Sequence, residues 1–366
     1  MRRKLIIFIT VFLTMFGIVM ITSSSSIWAQ YKFNNPFKFT IHQSIFAIIG
    51  LILMFLVSKI DYKLYYKYAN KILIGAIILL VLVLIPGIGV MRNGSRSWFG
   101  IGSFGIQPSE IAKISLIIFV AKYLSKNEKN MYKIVSYSLP ILGIIMFVFF
   151  LILLEPDFGS GAIIVLSLIV LIFTSNIKIS FFVKLGIVGI AGIVGLILVA
   201  PYRMARIVAY LNPWSDPLGS GFQIIQSLYA IGPGGLFGLG LGNSIQKHFY
   251  LPEPQTDFIF AIISEELGFI GILILTVCYI VLFYNVIKLS LCTKDLFGKY
   301  LSFGLIIELV LQTLLNLLVV VGLIPVTGVT LPFLSYGGSS LLTCLIMVGI
   351  ILNIEKNSWY SNICSI

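Results

Sequence analysis

An acidic segment, residues 251–258 (Leu-Pro-Glu-Pro-Gln-Thr-Asp-Phe), holds the side chains best suited to chemistry. A long apolar run follows it, so we expect Asp257 to lie in the first turn of a helix. An aspartate there is a favoured helix N-cap, which is one interpretation. The other is a general base, because partial burial raises the pKa of a carboxyl group towards neutral pH. Glu253 and Thr256 accompany Asp257 in either case.

Two more carboxylates, Glu265 and Glu266, follow in the same apolar run. Helix geometry places them roughly two turns beyond Asp257, with Glu266 facing away from it. A catalytic pair with Asp257 is therefore not expected. Buried hydrogen bonding is the predicted role of both glutamates.

A second set of polar residues is Gln107-Pro108-Ser109-Glu110, followed by Lys113. Glu110 and Lys113 are spaced so that a helix brings them together on one face. Such a pair can hold two helices together, or it can position a substrate. The spacing is compatible with both roles.

The segment Glu155-Pro156-Asp157-Phe158-Gly159-Ser160 forms a third set. Proline and glycine predict a sharp corner between two apolar runs, with Glu155 and Asp157 in the turn. One carboxylate can cap the following helix. The alternative is a site for a cation or a sugar.

A fourth set spans 325–340 and contains Ser335-Tyr336-Gly337-Gly338. Small residues allow close backbone approach, either at a plain helix start or beside a ligand. The candidates for binding a phosphate are Arg92, Arg96, Arg203, Arg206 and Lys247. Arginine in particular matches phosphate oxygens with two parallel hydrogen bonds. The two histidines are too few for a metal site or a catalytic triad.

The composition shows what must position these residues. Hydrophobic residues make up 59% of the 366 residues and charged residues only 10%. Apolar runs long enough to span a bilayer recur along the whole chain. We predict an all-α polytopic membrane protein of about ten transmembrane helices. The predicted spans are 4–22, 39–58, 72–90, 110–124, 135–154, 160–177, 180–200, 257–287, 299–322 and 340–354.

Lysine and arginine predict the orientation of these spans. Most of the 25 basic residues fall in alternate connections, beginning with Arg2, Arg3 and Lys4. By the positive-inside rule, both termini are cytoplasmic and the four polar sets lie outside. This asymmetry also accounts for most of the net charge of +12, so no nucleic-acid partner is indicated.

One connection is much longer than the rest. Residues 201–256 form a predicted extracellular loop between spans 7 and 8, and loops of this length are usually functional. Its glycines, Gly232 to Gly242, suggest tight turns and close helix packing rather than a phosphate-binding loop, because no Gly-Lys-Ser/Thr sequence follows. We treat residues 1–366 as a single membrane domain.

The whole chain resembles the FtsW/RodA/SpoVE family, the SEDS (shape, elongation, division and sporulation) peptidoglycan polymerases. The resemblance rests on five motifs that occur in the family order. Their amino-acid sequences are most similar to those of the division and sporulation branch. They are residues 93–98 (Asn-Gly-Ser-Arg-Ser-Trp), 107–110, 155–159, 251–257 and 331–340 (Leu-Pro-Phe-Leu-Ser-Tyr-Gly-Gly-Ser-Ser). Glu308 departs from the family pattern, where an apolar residue is expected.

The resemblance implies polymerisation of lipid II, a disaccharide-pentapeptide on undecaprenyl pyrophosphate, outside the cytoplasmic membrane. Asp257 matches the proposed catalytic aspartate of the family, and Glu110 and Lys113 match its functionally sensitive pair. Arg203 and Arg206 match basic positions at the start of the large loop, and we expect them to bind the pyrophosphate. A divalent cation, Mg²⁺ or Mn²⁺, is also implied, with Asp257 as a candidate ligand.

The same resemblance implies a class B penicillin-binding protein, a transpeptidase, as partner, together with other septal or elongation proteins. The sequence is compatible with two alternatives to a polymerase. One is a lipid II flippase, and the other is a scaffold without enzymatic activity that recruits the transpeptidase.

Overall fold

The structure is a computed structural model that describes residues 2–92, 95–101, 104–199 and 201–358. Most of it is built of helices. They are α1 (Arg2–Phe33), α2 (Lys38–Val57), α3 (Lys63–Leu84), α4 (Pro108–Asn127), α5 (Leu139–Leu154), α6 (Phe158–Phe173), α7 (Ile179–Val199), α8 (Pro201–Leu211), α9 (Phe222–Ile231), α10 (Ile259–Cys292), α11 (Leu296–Val320) and α12 (Gly338–Ser358).

Among the described residues, seven helices are long and apolar enough to cross a membrane. They are α1, α2, α3, α5 with the π-helical turn before it, α10, α11 and α12. The other three predicted spans coincide with α4, which carries Glu110 and Lys113, and with the shorter apolar stretches of α6 and α7. The chain is therefore an integral membrane protein.

A small sheet corrects the all-α prediction. Strands β1 (Val90–Arg92), β2 (Ser95–Ile101) and β3 (Phe104–Ile106) pair antiparallel in the order β1-β2-β3. Arg92 pairs with Ser95 across the two intervening residues, Asn93 and Gly94, which lie outside the described residues. Asn-Gly is the dipeptide most typical of a two-residue hairpin connection, so the sequence did carry the signal.

The centre of the bundle is formed by α11 and α12, whose side chains are mostly buried. Helix α12 packs closely against α2. A Cβ on Gly349 would lie 2.7 Å from the Met54 carbonyl oxygen, so only glycine permits this approach. In contrast, α7 exposes large apolar side chains such as Ile187, Val188 and Ile190, as a helix that faces lipid does.

The connection 201–256 is folded rather than extended, since it contains α8 and α9. Beyond α9, its glycine-rich turns pack on α10 where that helix is interrupted at Gly268 (φ +62°). The Leu239 and Gly240 amides donate to the carbonyl oxygens of Glu265 and Glu266 at 2.9 and 3.0 Å. The glycines therefore serve tight turns and close packing, as predicted.

Gly238 is the tightest point of this contact. Its φ is +77°, and a Cβ there would lie 2.2 Å from the Glu266 carbonyl oxygen. We expect Gly238→Ala to lower the free energy of unfolding by about 2 kcal/mol, because alanine is strained at positive φ and the loop must also shift. Thermal unfolding in detergent measures the loss.

Gly186→Ala is the matched control for this substitution. Gly186 lies on α7 with no atom within 4 Å of an added Cβ, so its replacement should not destabilise the protein. Equal transition temperatures for the two variants would contradict the packing argument.

The functional motifs meet at one end of the bundle. Successive helices run in alternating directions, so α1, α5 and α11 end there, and α2, α4, α6, α10 and α12 begin there. Residues of α1, α2, α4, α6, α11 and α12, and of the segments just before α6 and α10, line one cavity of about 860 Å³. Its apolar wall includes aromatic side chains of α1 and α2, and its polar wall carries the predicted motifs.

Candidate active site

Asp257 lies in the wall of this cavity, immediately before α10. The helix begins at Ile259, and its N-cap is Phe258, with no side-chain cap. The capping interpretation of Asp257 is therefore wrong, as is its placement within the first turn. The carboxylate is left free to act in the cavity.

The surroundings of Asp257 raise its pKa to about 6. Burial is the largest cause, and the negative charges of Glu253 and Asp157 act in the same direction. The guanidinium of Arg206 opposes them. A carboxyl group with this pKa is ionised at neutral pH yet is a stronger base than an ordinary aspartate.

Asp157 does cap a helix, as one interpretation of its motif predicted. Its side chain accepts a hydrogen bond from the Ser160 amide (3.2 Å) at the start of α6. It also accepts one from Gln107 Nε2 (2.7 Å), which ties the corner to the start of α4. Burial raises the pKa of Asp157, while the contacts with Ser160 oppose the shift.

The predicted pair of Glu110 and Lys113 forms within α4, with an Nζ–Oε2 distance of 3.1 Å. Two residues of α11 complete the surroundings of this ammonium group: Glu308 Oε1 lies at 3.4 Å and Gln312 Oε1 at 3.2 Å. Three N–H groups thus face three partner side chains. Lys113 lines the cavity, but its ammonium group is already engaged by the protein.

Glu308 is a partner of Lys113 that could not be predicted from sequence spacing. It is fully buried on α11, and Lys113 is the cation beside it. The charge of Glu308, which was unexpected from the family pattern, is explained by this contact. The Glu308 side chain connects α11 to α4 through Lys113.

Arg206 is placed in the cavity wall by α8. Its Nη1 donates to the Val326 carbonyl oxygen at 2.9 Å, while the side chain stays exposed. Among the described residues, Arg206 and Lys113 are the basic side chains in the lining. Arg203 lies on the same helix, but its side chain is outside the described part of the chain.

The cavity brings together most of the residues singled out in the sequence. Those that line it are Gln107, Glu110, Lys113, Asp157, Arg206, Glu253, Thr256, Asp257 and Tyr336. Tyr336 joins two of the motifs, because its amide donates to the Gln255 carbonyl oxygen at 2.8 Å.

Lys247 is placed elsewhere. Its buried ammonium group lies 3.0 Å from Glu266 Oε1 and 3.3 Å from Ser23 Oγ on α1. Glu265 accepts hydrogen bonds from Ser244 Oγ (2.5 Å) and the Ile245 amide (2.9 Å). The predicted hydrogen-bonding role of both glutamates is confirmed, and Lys247 serves to anchor the long loop to α1 and α10.

Three further predicted residues lie outside the cavity lining. The Ser335 hydroxyl accepts from the Leu331 amide (2.8 Å) and closes its own turn. Arg96 lies on β2, where its Cγ is beside Gly89. Glu155 is fully buried at the end of α5, and burial together with the charge of Asp157 raises its pKa to about 9, so it is neutral at pH 7.

Two residues of α11 at this site were not predicted: Gln312, which lines the cavity, and Asn316, which lies outside the lining. Both are buried amides. They lie four residues apart in an apolar helix, so they share one face, and polar side chains at membrane depth are often functional. The four-residue spacing of these two amides could therefore have identified them in the sequence.

Comparison with known proteins places this arrangement in context. The model of the FtsW, RodA and SpoVE family, described as cell cycle proteins, matches residues 3–360. Stage V sporulation protein E of Bacillus subtilis (strain 168) is 52% identical over 356 residues, which cover 97% of each chain. A protein of Geobacter sp. (strain M18) named probable peptidoglycan glycosyltransferase FtsW is 41% identical, with 96% of each chain covered.

Two solved structures are similar over nearly the whole chain. One is described as "Structural coordination of polymerization and crosslinking by a peptidoglycan synthase complex". Its matching chain has a TM-score of 0.79 and 29% identity, over 97% of this chain and 98% of its own. The other is the Thermus thermophilus rod shape determining protein RodA, with a TM-score of 0.72, 27% identity, and coverage of 97% and 96%.

Proposed function

Because the chain belongs to the FtsW/RodA/SpoVE family, we propose that it is a peptidoglycan glycosyltransferase that polymerises lipid II. The observation that carries this proposal is the position of Asp257 in the wall of a large cavity. Its carboxylate has a raised pKa and does not cap a helix. The name of the Geobacter relative and the peptidoglycan synthase structure support the same substrate class. The strong similarity to the sporulation protein favours synthesis of a division or sporulation septum.

In the proposed reaction, the Asp257 carboxylate accepts the proton of the 4-hydroxyl group of an acceptor sugar. The hydroxyl oxygen forms a bond to the anomeric carbon of the growing chain. The bond from that carbon to the pyrophosphate oxygen breaks, and undecaprenyl pyrophosphate leaves with inversion. Arg206 is the best-placed described cation for the pyrophosphate, since Lys113 is engaged by Glu110, Glu308 and Gln312.

A divalent cation is part of the proposal. Among the described residues, no group of three or more His, Cys, Asp or Glu side chains is placed to hold a metal. Mg²⁺ needs fewer protein ligands, because it is commonly bound by one or two carboxylates together with substrate phosphates. Asp257 fits that pattern as the alternative to its role as general base, and the cation would neutralise charge on the leaving group.

We further propose that ten helices cross the membrane, with both termini in the cytoplasm and the cavity at the outer surface. The basic residues support this orientation. Six of them lie at the end of the helical bundle opposite the cavity: Arg2, Arg3, Lys59, Lys63, Lys122 and Lys126. An outer cavity is also where a transpeptidase partner, a class B penicillin-binding protein, would receive the new glycan strand.

Polymerisation of purified lipid II by the purified chain and its transpeptidase partner tests the function. Glycan strands made by the wild type and not by Asp257→Asn support a polymerase. A flippase would make no polymer but would translocate fluorescent lipid II in vesicles. A scaffold would do neither, and its Asp257→Asn variant would sustain growth.

The pH dependence of polymerisation is a separate expectation. A general base works in its ionised form, so kcat/KM should rise with pH through a midpoint of about 6. Glu253→Gln removes a repelling charge and should move this midpoint to lower pH. A rate that is flat from about pH 5 to pH 8 would contradict the role of Asp257 as base.

A further inference from the structure

The two amides of α11 connect parts of the cavity wall that are distant in sequence. Gln312 and Asn316 are one helical turn apart, and they are 2% and 1% exposed. Both face the connection between α11 and α12, which contains Gly328, Val329 and Thr330. A buried amide without partners is costly, so the hydrogen bonds of these side chains define how the wall is assembled.

Asn316 bonds to the backbone of the proposed base. Its Nδ2 donates to the Asp257 carbonyl oxygen at 2.8 Å and to the Val329 carbonyl oxygen at 2.7 Å. One amide group therefore uses both N–H donors to hold two segments together. Asn316 itself is not part of the cavity lining, so it reaches the cavity only through these segments.

Gln312 binds Thr330, the residue that follows Val329 in the connection between α11 and α12. Its Nε2 donates to the Thr330 carbonyl oxygen at 3.0 Å, and its Oε1 accepts from Lys113 Nζ at 3.2 Å. The carbonyl groups of Val329 and Thr330 are thus held by successive turns of α11. This leaves the 328–330 segment little freedom to move relative to α11.

The segment held in this way faces the carboxylate of Asp257. A Cβ built on Gly328 (φ +76°) would lie 3.7 Å from Asp257 Oδ2, so the two sides of the cavity are in near contact there. The distance between the carboxylate and this wall depends on the backbone of Asp257 and on that of Val329. Asn316 is the side chain that joins the two.

We propose that Asn316 is a positioning residue that fixes the Asp257 carboxylate against the Gly328 wall of the cavity. This inference rests on the proposed polymerase function. Asn316 makes no contact with the reacting atoms and acts through the backbone of Asp257. Misplacement of a catalytic group by about 1 Å can cost on the order of a hundredfold in rate. Loss of the two hydrogen bonds should therefore affect turnover much more than substrate binding.

The test compares Asn316→Ala and Asn316→Asp with the wild type in lipid II polymerisation. Asn316→Asp preserves the shape of the side chain but replaces both N–H donors with oxygen, so it should not rescue the rate. For both variants we expect kcat to fall at least about tenfold while KM changes less than about threefold. Titration with fluorescent lipid II to saturation gives the fraction of competent molecules, and kcat is corrected for that fraction.

Thr313→Val is the matched control. Thr313 is buried on the same helix, but its hydroxyl donates only to the Leu309 carbonyl oxygen of α11. Its corrected kcat should stay within about twofold of the wild type. A corrected kcat of Asn316→Ala or Asn316→Asp above half the wild-type value would overturn the inference, as would an equal loss in Thr313→Val. Absence of polymer with the wild type would instead refute the proposed function.

Discussion

Asp257→Asn should lower the rate of lipid II polymerisation by about 10²- to 10⁴-fold, the range that general-base catalysis contributes. Asparagine has nearly the same shape, but it cannot accept the proton of the acceptor hydroxyl group. The carboxylate of Asp257 makes no helix cap that the substitution would disturb. Purified protein, with its transpeptidase partner present, is assayed by the length and amount of glycan strands.

Asp216→Asn provides the matched control in the same long connection. Asp216 is exposed and outside the cavity lining, and it accepts from the Ser220 amide (2.8 Å), a contact that asparagine can also make. We expect its activity to equal that of the wild type. Polymerisation at the wild-type rate by Asp257→Asn would exclude Asp257 as the base.

Lys113→Met should lower the free energy of unfolding by about 3–5 kcal/mol, as removal of one partner from a buried ion pair does. The substitution leaves Glu110 and Glu308 facing each other in the interior without a cation. It also removes the donor to Gln312 Oε1, so α4 and α11 lose their polar connection. Thermal and denaturant unfolding in detergent measure the change.

Two comparisons make this prediction specific. Lys126 is an exposed lysine of the same helix, and Lys126→Met should leave stability within about 0.5 kcal/mol of the wild type. Adding Glu308→Leu to Lys113→Met removes one uncompensated carboxylate and should restore part of the loss. A Lys113→Met variant as stable as Lys126→Met would show that the buried cluster contributes nothing.

Much of the fold was predictable because membrane spans are set by local chemistry. Each predicted span overlaps a helix, since a bilayer demands about 20 apolar residues whatever the neighbouring helices do. The ends were less accurate: α3 begins at Lys63 rather than 72, and α1 continues to Phe33 rather than 22. Polar helical turns extend both helices beyond their apolar windows. The hairpin of β1 and β2 was missed because the prediction weighed only apolar runs.

Contacts between neighbours in sequence were equally predictable. The pairing of Glu110 with Lys113 and the cap that Asp157 provides for α6 follow from helix geometry alone. Spacing could not decide whether Asp257 capped a helix or faced a cavity, because both environments suit an aspartate. That choice depended on where α10 begins.

Local chemistry along the chain was enough to predict a helical membrane protein, its polar motifs and the importance of the Asp257 motif. Which of these residues share a cavity depends on how the helices pack. This packing places Lys247 with Glu266, Glu308 with Lys113, and Asn316 against the backbone of Asp257. The physical reason is that buried charges and amides must find partners, and in a helical bundle those partners lie on other helices, far away in sequence.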